Sequence, residues 1–383
     1  MKKLLFALAI IFNIGFPKGD VVLSGIPITW GYLLVGVASI YLFLVNFFGR
    51  VNFAFTTHSA LILFALMGFD CIVVISALFN GFESVGYFVS LLIGFFYFPI
   101  VLLYFGGVHV LSSEADLYKK LFVHLLRFVV IFGLINFFLK YTGYEIIDFQ
   151  GLTSSFGGEL SFEDKYNDRG GIFKLASTYA NGNIYAVCML MLLPIYISFE
   201  RNLFFIGAYK LSVVLTLSRT AWFGLLIFEL LNFLINRRPS VYSLFKLVVY
   251  FLILILGIYI LITLMGLDLT FVFDSNLGGR SEQLEILSSY RWFPNLSFSG
   301  IEEMVYFSVL KQFGVFALLF LIIIFFIPVS VGYRKIKIGN AGVKPYVISA
   351  VIFPLLCLSD GAVQFIPVML LYWMVVSMIL KYE

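Results

Sequence analysis

Thr216-Leu217-Ser218-Arg219-Thr220-Ala221 decides how this chain is read, because an arginine interrupts apolar sequence that continues on either side of it. Each flank is about as long as a membrane span. A guanidinium stays protonated, and in hydrocarbon it is costly unless it reaches an interface, a counter-ion or a wet cavity. An arginine kept between two apolar stretches marks a functional site by default, and its expected partner is an anion such as a phosphate. The plainer reading is an arginine that anchors a helix start at the interface by snorkelling.

The composition sets the class. The chain is 62% hydrophobic and 12% charged, with a mean hydropathy of +1.04. Ordinary globular chains carry about 25% charged residues. The apolar runs are continuous, which excludes the alternating pattern of a membrane β-barrel and predicts an all-α polytopic membrane protein. The net charge of +4 follows from loops that bias orientation and gives no reason to invoke nucleic acid. Cys71, Cys188 and Cys357 fall inside apolar runs without disulfide or metal spacing. No Walker loop, zinc spacing, nucleophile elbow or paired-cysteine motif occurs.

The apolar runs give twelve candidate spans: Leu4–Phe16, Gly31–Phe48, Ser59–Phe79, Val85–Gly106, Leu121–Leu139, Tyr179–Phe199, Leu203–Leu217, Ala221–Ile235, Leu247–Met265, Met304–Ile327, Tyr346–Leu358 and Phe365–Leu380. The first is read as a retained span, since no small-x-small cleavage site follows it. Lys2 and Lys3 put the N-terminus in the cytoplasm, and even parity returns the C-terminus to the same side. Arg201, Arg237, Arg334, Lys335 and Lys344 then fall in cytoplasmic connections. Lys210 lies mid-span, and a single helix over Leu211–Ile235 would break this parity.

The organisation is a five-span region over 1–139, a long outer loop over 140–178, central spans with the Ser-Arg-Thr motif over 179–265, a second outer loop over 266–303, and C-terminal spans over 304–383. Loops of this length are usually functional or disordered. The first carries Asp148, Asp164, Asp168, Lys165, Arg169 and Lys174; the second carries Asp274, Arg280, Glu282, Arg291, Glu302 and Glu303. Four arginines on the outer face, Arg219, Arg280, Arg169 and Arg291, suit a diphosphate whose tail stays in the membrane. Glu303, Glu302 and Asp274 are candidate general bases. Tyr290 and Trp292 offer faces on which a sugar ring stacks. Asp70 and Glu229, acidic and within spans, are functional candidates unless an end or a lysine explains them. His58, His109 and His124 map to the cytoplasmic side and supply no base outside.

Three pieces of sequence resemble the O-antigen polymerase and O-antigen ligase superfamily of bacterial glycan assembly. They are Tyr179-Ala180-Asn181-Gly182-Asn183-Ile184-Tyr185-Ala186, then Leu217-Ser218-Arg219-Thr220-Ala221, then Gly278-Gly279-Arg280-Ser281 followed by Glu303, ten intervening residues and Gly314-Val315-Phe316-Ala317. The resemblance covers residues 140–330, about half of the chain. Ligases of the superfamily carry a histidine where this chain has Glu303, which favours the polymerase branch.

The resemblance implies a glycosyltransferase of the bacterial inner membrane with a GT-C-like architecture, independent of metal and of any cofactor. The growing glycan on undecaprenyl diphosphate would be the donor, and a repeat unit on a second carrier the acceptor. Arg219 and Arg280 would hold the diphosphate, assisted by Arg169 or Arg291, while Glu303, Glu302 or Asp274 takes the acceptor proton. One-step displacement implies inversion. Expected partners are a chain-length regulator and a flippase of the same pathway. The alternatives are a ligase moving glycan onto lipid A-core, and a lipid-linked oligosaccharide transporter. Transport predicts polar or broken spans in matching halves, whereas the polar residues here concentrate in two central loops.

Overall fold

At membrane depth a chain hides its backbone polar groups by closing every N–H···O=C bond within the segment, so long apolar runs become helices. The computed structural model is mostly helical. It describes the chain apart from residues 1, 24–25, 50–56, 105–114, 157–172, 180, 237–244, 246–247, 250, 253–254, 258, 261–262, 264–280, 285–289, 295 and 382–383.

The first half is α1 (Lys2–Ile10, continued by a π-helical turn Ile11–Gly15), β1 (Asp20–Leu23), β2 (Ile26–Thr29), α2 (Trp30–Gly49), α3 (Thr57–Asn80), α4 (Val85–Leu92, continued by π-helical stretches Ile93–Tyr97 and Ile100–Tyr104), α5 (Ala115–Tyr141) and β3 (Ser155–Phe156). The second half is α6 (Gly182–Phe199), α7 (Leu203–Val214), α8 (Arg219–Asn236), the short α9 (Ser281–Leu284), α10 (Val305–Lys337), α11 (Lys344–Leu356) and α12 (Ile366–Lys381). Helical residues also recur between 245 and 263. Among the described residues, five helical segments are long and apolar enough to cross a membrane: Thr57–Asn80, Val85–Leu103, Leu117–Tyr141, Gly182–Phe199 and Val305–Lys337. The chain is a membrane-embedded helical protein.

The helices track the apolar runs, with three informative differences. The run over Leu203–Leu217 stops at Val214, and the chain turns over 215–218 before α8 begins at Arg219. Lys210 therefore lies in a helix of its own, and the single helix over Leu211–Ile235 does not form. The sixth run starts as helix only at Gly182, because the Asn181 side chain caps Ile184 N at 2.9 Å. The run from Met304 continues to Lys337, ten residues past Ile327, with a break at Gly314.

α6 is apolar almost all round and buried from Tyr185 to Tyr196, which makes it the central helix. α7, α8, α11 and α12 pack around it. α3 lies along α10, with the Phe69 and Phe313 rings 6.3 Å apart and Phe64 against Phe320 at 6.4 Å. Arg334, Lys335 and Lys337 of α10 gather at one end of the bundle, where Lys335 Nζ donates to the carbonyls of Ile379 and Leu380 at 2.6 and 3.2 Å. At the other end, β1 pairs with β2 antiparallel and with β3 in parallel, tying the N-terminal hairpin to the first long loop. Trp30 Nε1 fastens the same junction by donating to the Gly151 carbonyl at 2.7 Å.

Ion pairs resolve two acidic residues. Glu229 meets Lys210 Nζ at 2.6 Å between α8 and α7, so the mid-span lysine explains it structurally. Glu200 caps the end of α6, where the Arg127 guanidinium grips both carboxylate oxygens at 2.6 and 2.9 Å. Asn202 N–H and the Tyr196 hydroxyl donate to it as well, at 2.8 and 3.1 Å. The Arg127 hydrogen bond is the chief reason that the Glu200 carboxyl is held at about 2. A carboxylate whose pKa is depressed on folding stabilises the fold above its unfolded value of about 4.3 and loses that stabilisation as pH falls. The thermal midpoint is thus expected to drop as pH falls from about 4.3 toward 2, and Glu200→Gln is expected to flatten that dependence. Asp70, by contrast, is buried on α3 with neither oxygen hydrogen-bonded.

Candidate functional site

Arg219 opens α8, and the turn before it explains why the helix starts there. Leu217 holds a left-handed backbone at φ +52°, which stops helix propagation from α7. Val214 O accepts from Trp222 Nε1 at 3.0 Å, which pins the new helix against the end of the old one. Ser218 and Thr220, on either side of the arginine, are buried, and Arg219 is half-buried.

Thr220 Oγ1 lies 2.8 Å from Ser359 Oγ in the turn that follows α11. That turn is Ser359-Asp360-Gly361-Ala362, with Asp360 buried and Ala362 at φ +46°. Gly361 N–H donates to Glu303 O at 3.3 Å, and Val305 N–H donates to Cys357 O at 3.0 Å. A Cβ on Gly361 would stand 2.5 Å from Cys357 Sγ and 2.6 Å from Val305 Cγ2, so the approach needs a bare backbone. The start of α10, the end of α11 and the start of α8 therefore meet, bringing Arg219, Glu303 and Asp360 to one end of the bundle.

A third strand of irregular chain joins them. Phe173 to Tyr179 is buried and non-helical. Phe173 packs on Phe137 at 5.9 Å, and Ser177 Oγ donates to Val129 O at 2.6 Å. From Phe137 to Val129 is about 12 Å along α5, so the segment dips into the bundle before α6 sets off. Non-helical backbone at that depth is tolerated where protein buries it. Leu175 N–H donates to Leu215 O at 3.1 Å, which lays the dip against the turn that precedes Arg219. Ser177 at φ +54° turns the dip. Among the described residues, Ser177, Leu217 and Ala362 are the non-glycine positions with positive φ, and all three lie in this belt. Strained backbone of this kind clusters at functional sites.

The sequence candidates divide between two places. Arg219 and Glu303 share the belt. Glu302 sits beside Glu303, but its Oε1 accepts from Lys311 Nζ at 2.9 Å on the surface. Its backbone N–H donates to Ser308 Oγ at 2.9 Å. Gln283 of α9, three residues after Arg280 in the chain, accepts from Met304 N–H at 3.2 Å. Arg291, Tyr290 and Trp292 go elsewhere, against the break in α10. Val315 N–H donates to Arg291 O at 2.9 Å, and the Trp292 and Phe293 rings pack on Phe316 at 5.7 and 5.1 Å. Gly314 is about 14 Å of helix from the start of α10. Tyr290 and Trp292 are exposed there, as interface-belt aromatics are. Arg169, Asp274 and Arg280 lie outside the described residues.

Gly314 owes its identity to that loop. Its φ of +83° and ψ of −176° belong to a region that other residues avoid. A Cβ there would stand 2.6 Å from the Trp292 carbonyl oxygen. Gly314→Ala is expected to destabilise by about 1–3 kcal/mol from backbone strain alone. The check is the thermal midpoint, with Trp292 emission shifting red as its loop leaves α10.

Sequence reasoning missed Ser359 and Asp360, and it read Lys174 as part of a polar loop without foreseeing its burial. The signal for Asp360 was a lone carboxylate in the short connection between two apolar runs. No protein-family model matches the chain, and no curated protein matches it.

Proposed function

We propose that this protein is a polysaccharide polymerase, a glycosyltransferase that lengthens a glycan carried on a polyprenyl diphosphate. The observation that carries the reading is the belt itself: an arginine between apolar helices, two acids in the turns that meet the start of its helix, and buried irregular backbone at one end of a membrane bundle. Further support comes from an apolar groove between α10 and α11. It runs from Tyr306 and Leu358, next to Glu303 and Ser359, along to Phe326 and Val329. A ligand with an anionic head at the belt and a long apolar tail in that groove matches both chemistries.

In this reading the chain crosses the bacterial inner membrane twelve times in a GT-C-like arrangement. Both termini are cytoplasmic, and the belt faces the periplasm. The donor is glycan on undecaprenyl diphosphate. The acceptor hydroxyl of a second lipid-linked unit attacks the anomeric carbon, and the bond from that carbon to the diphosphate oxygen breaks. Glu303 accepts the hydroxyl proton. Arg219 neutralises the departing diphosphate through paired N–H···O bonds, with Arg280 or Arg169 as second donors. Attack opposite the leaving group inverts the anomeric centre. Arg291, at the Gly314 break, is left as a contact for the carrier or the loop.

The test is a gel of surface glycans from a strain lacking the gene, complemented with wild type. A ladder collapsing to core plus one unit, restored by wild type, supports polymerisation. Full-length chains accumulating on the carrier, with none on the core, identify a ligase. An unchanged ladder rejects both for that glycan.

A further inference from the structure

Resting on the polymerase reading, we infer that Gln312 and Gln364, gathered on Ser299-Gly300, form a carbohydrate subsite beside Glu303 that seats a sugar of the repeat unit. Gln312 lies on α10, two residues before the Gly314 break, and is buried at 2% exposure. Its Nε2 donates to Ser299 Oγ at 3.0 Å, while its buried Oε1 accepts from no described residue. Turning the amide over exchanges the two atoms and still leaves one of them unused. Gln364, in the turn that leads into α12, brings its Oε1 to 3.4 Å from the point where a Cβ on Gly300 would stand. Its Nε2 is buried and makes no hydrogen bond among the described residues. Buried amide groups are ordinarily hydrogen-bonded, because leaving one unmade costs stability. Two amides thus reach one dipeptide, each with hydrogen-bonding capacity that the fold does not use.

The dipeptide stands next to the proposed base. Gly300 is three residues before Glu303, at most about 11 Å of chain. Gln364 is three residues after Gly361, whose N–H donates to Glu303 O, so the two segments run together. The turn between α3 and α4 holds the dipeptide from the other direction. Glu83 N–H donates to Phe298 O at 2.9 Å, and Phe298 N–H donates to Gly81 O at 3.0 Å. Tyr87, at the start of α4, sets its ring atoms Cδ2 and Cε2 at 3.0 and 3.4 Å from the same Gly300 Cβ point. Ser299 and Tyr87 are exposed, whereas Gln312 is buried. The corner therefore opens at a hydroxyl and an aromatic ring and is backed by an amide. A sugar ring suits that chemistry. Each of its hydroxyls both donates and accepts, and a primary amide offers a donor and an acceptor side by side. The apolar face of the sugar finds its counterpart in the tyrosine ring. Neutral amides suit hydroxyls, whereas a phosphate suits the guanidinium of Arg219.

The experiment measures binding of undecaprenyl diphosphate, bare and carrying the repeat unit, to the full-length protein in nanodiscs. The glycosylated carrier is extracted from cells that lack this gene. The variants are Gln312→Leu, Gln364→Leu and Arg219→Ala. Leucine keeps much of the bulk of glutamine, and the Ser299 left behind is exposed to solvent, so the fold is expected to persist, checked by thermal midpoint. Wild type is expected to hold the glycosylated carrier more tightly than the bare one. Each leucine variant is expected to weaken the glycosylated carrier about tenfold and to leave the bare carrier unchanged, while Arg219→Ala weakens both. Glutamines that only brace the loop would lower the midpoint and leave the preference intact, which overturns the inference. Wild type that binds both carriers equally also overturns it, with the polymerase reading still standing on Arg219→Ala. Wild type that binds neither carrier overturns the polymerase reading, and this inference with it.

Discussion

On the proposed function, Arg219→Ala is expected to lose glycan lengthening on the order of a thousandfold, the scale of a deleted donor at a developing anion, while the protein still inserts in normal amount. Insertion survives because the side chain opens a helix after a turn that Leu217 and the Trp222 bond define without it. Removing a charge from between apolar helices also lowers the cost of insertion. Arg219→Lys recovers little. An ammonium supplies charge without the planar fork that the paired oxygens of the proposed diphosphate would engage. Steady-state rates on lipid-linked substrate, with membrane yield as control, check both. An alanine variant with full activity would reduce Arg219 to an interfacial anchor.

If Glu303 is the proposed general base, Glu303→Gln is expected to cost about 10²–10⁴-fold in kcat, the range for a general base, with KM for the proposed lipid donor little changed. The adjacent Glu302→Gln is nearly silent. Its carboxylate is spent on Lys311 at an exposed position, and such pairs contribute about 0–1 kcal/mol. The contrast between neighbours is the informative result. Equal losses at both positions would point to the charge of the loop rather than to a base. A loss at Glu302 alone would move the reacting centre to the surface.

Much of the scaffold was legible because the physics that makes it is local. A run such as Ser59–Phe79 has only a helix available to it, and α3 follows it closely. The break at 215–218 could be inferred from a charged residue between apolar runs, and the Lys210–Glu229 pair from two opposite charges inside neighbouring spans. What stayed hidden depends on distant partners. Phe173-Lys174-Leu175-Ala176 reads as the end of a polar loop, and only α5 and the Leu215 turn show that it descends into the bundle. β1 and β3 are short and lie over a hundred residues apart, so nothing local marks their pairing. Gly314 was visible as a spacing to Glu303, but its cause is the Trp292 backbone pressed against it. That same contact draws Arg291, Tyr290 and Trp292 away from Arg219, which a count of outer-loop arginines does not foresee. Asp360 went unnoticed because one acid between two spans looks like an ordinary connection until Gly361 bonds to Glu303.

The most direct measurement reconstitutes the purified protein in liposomes with one lipid-linked repeat unit and no other enzyme, then follows glycan length and released undecaprenyl diphosphate together. The account predicts lipid-linked chains of two or more units, one undecaprenyl diphosphate released per linkage formed, and neither product from Arg219→Ala. Units that move across the bilayer without lengthening, or linkages that form only when lipid A-core is added, would contradict it.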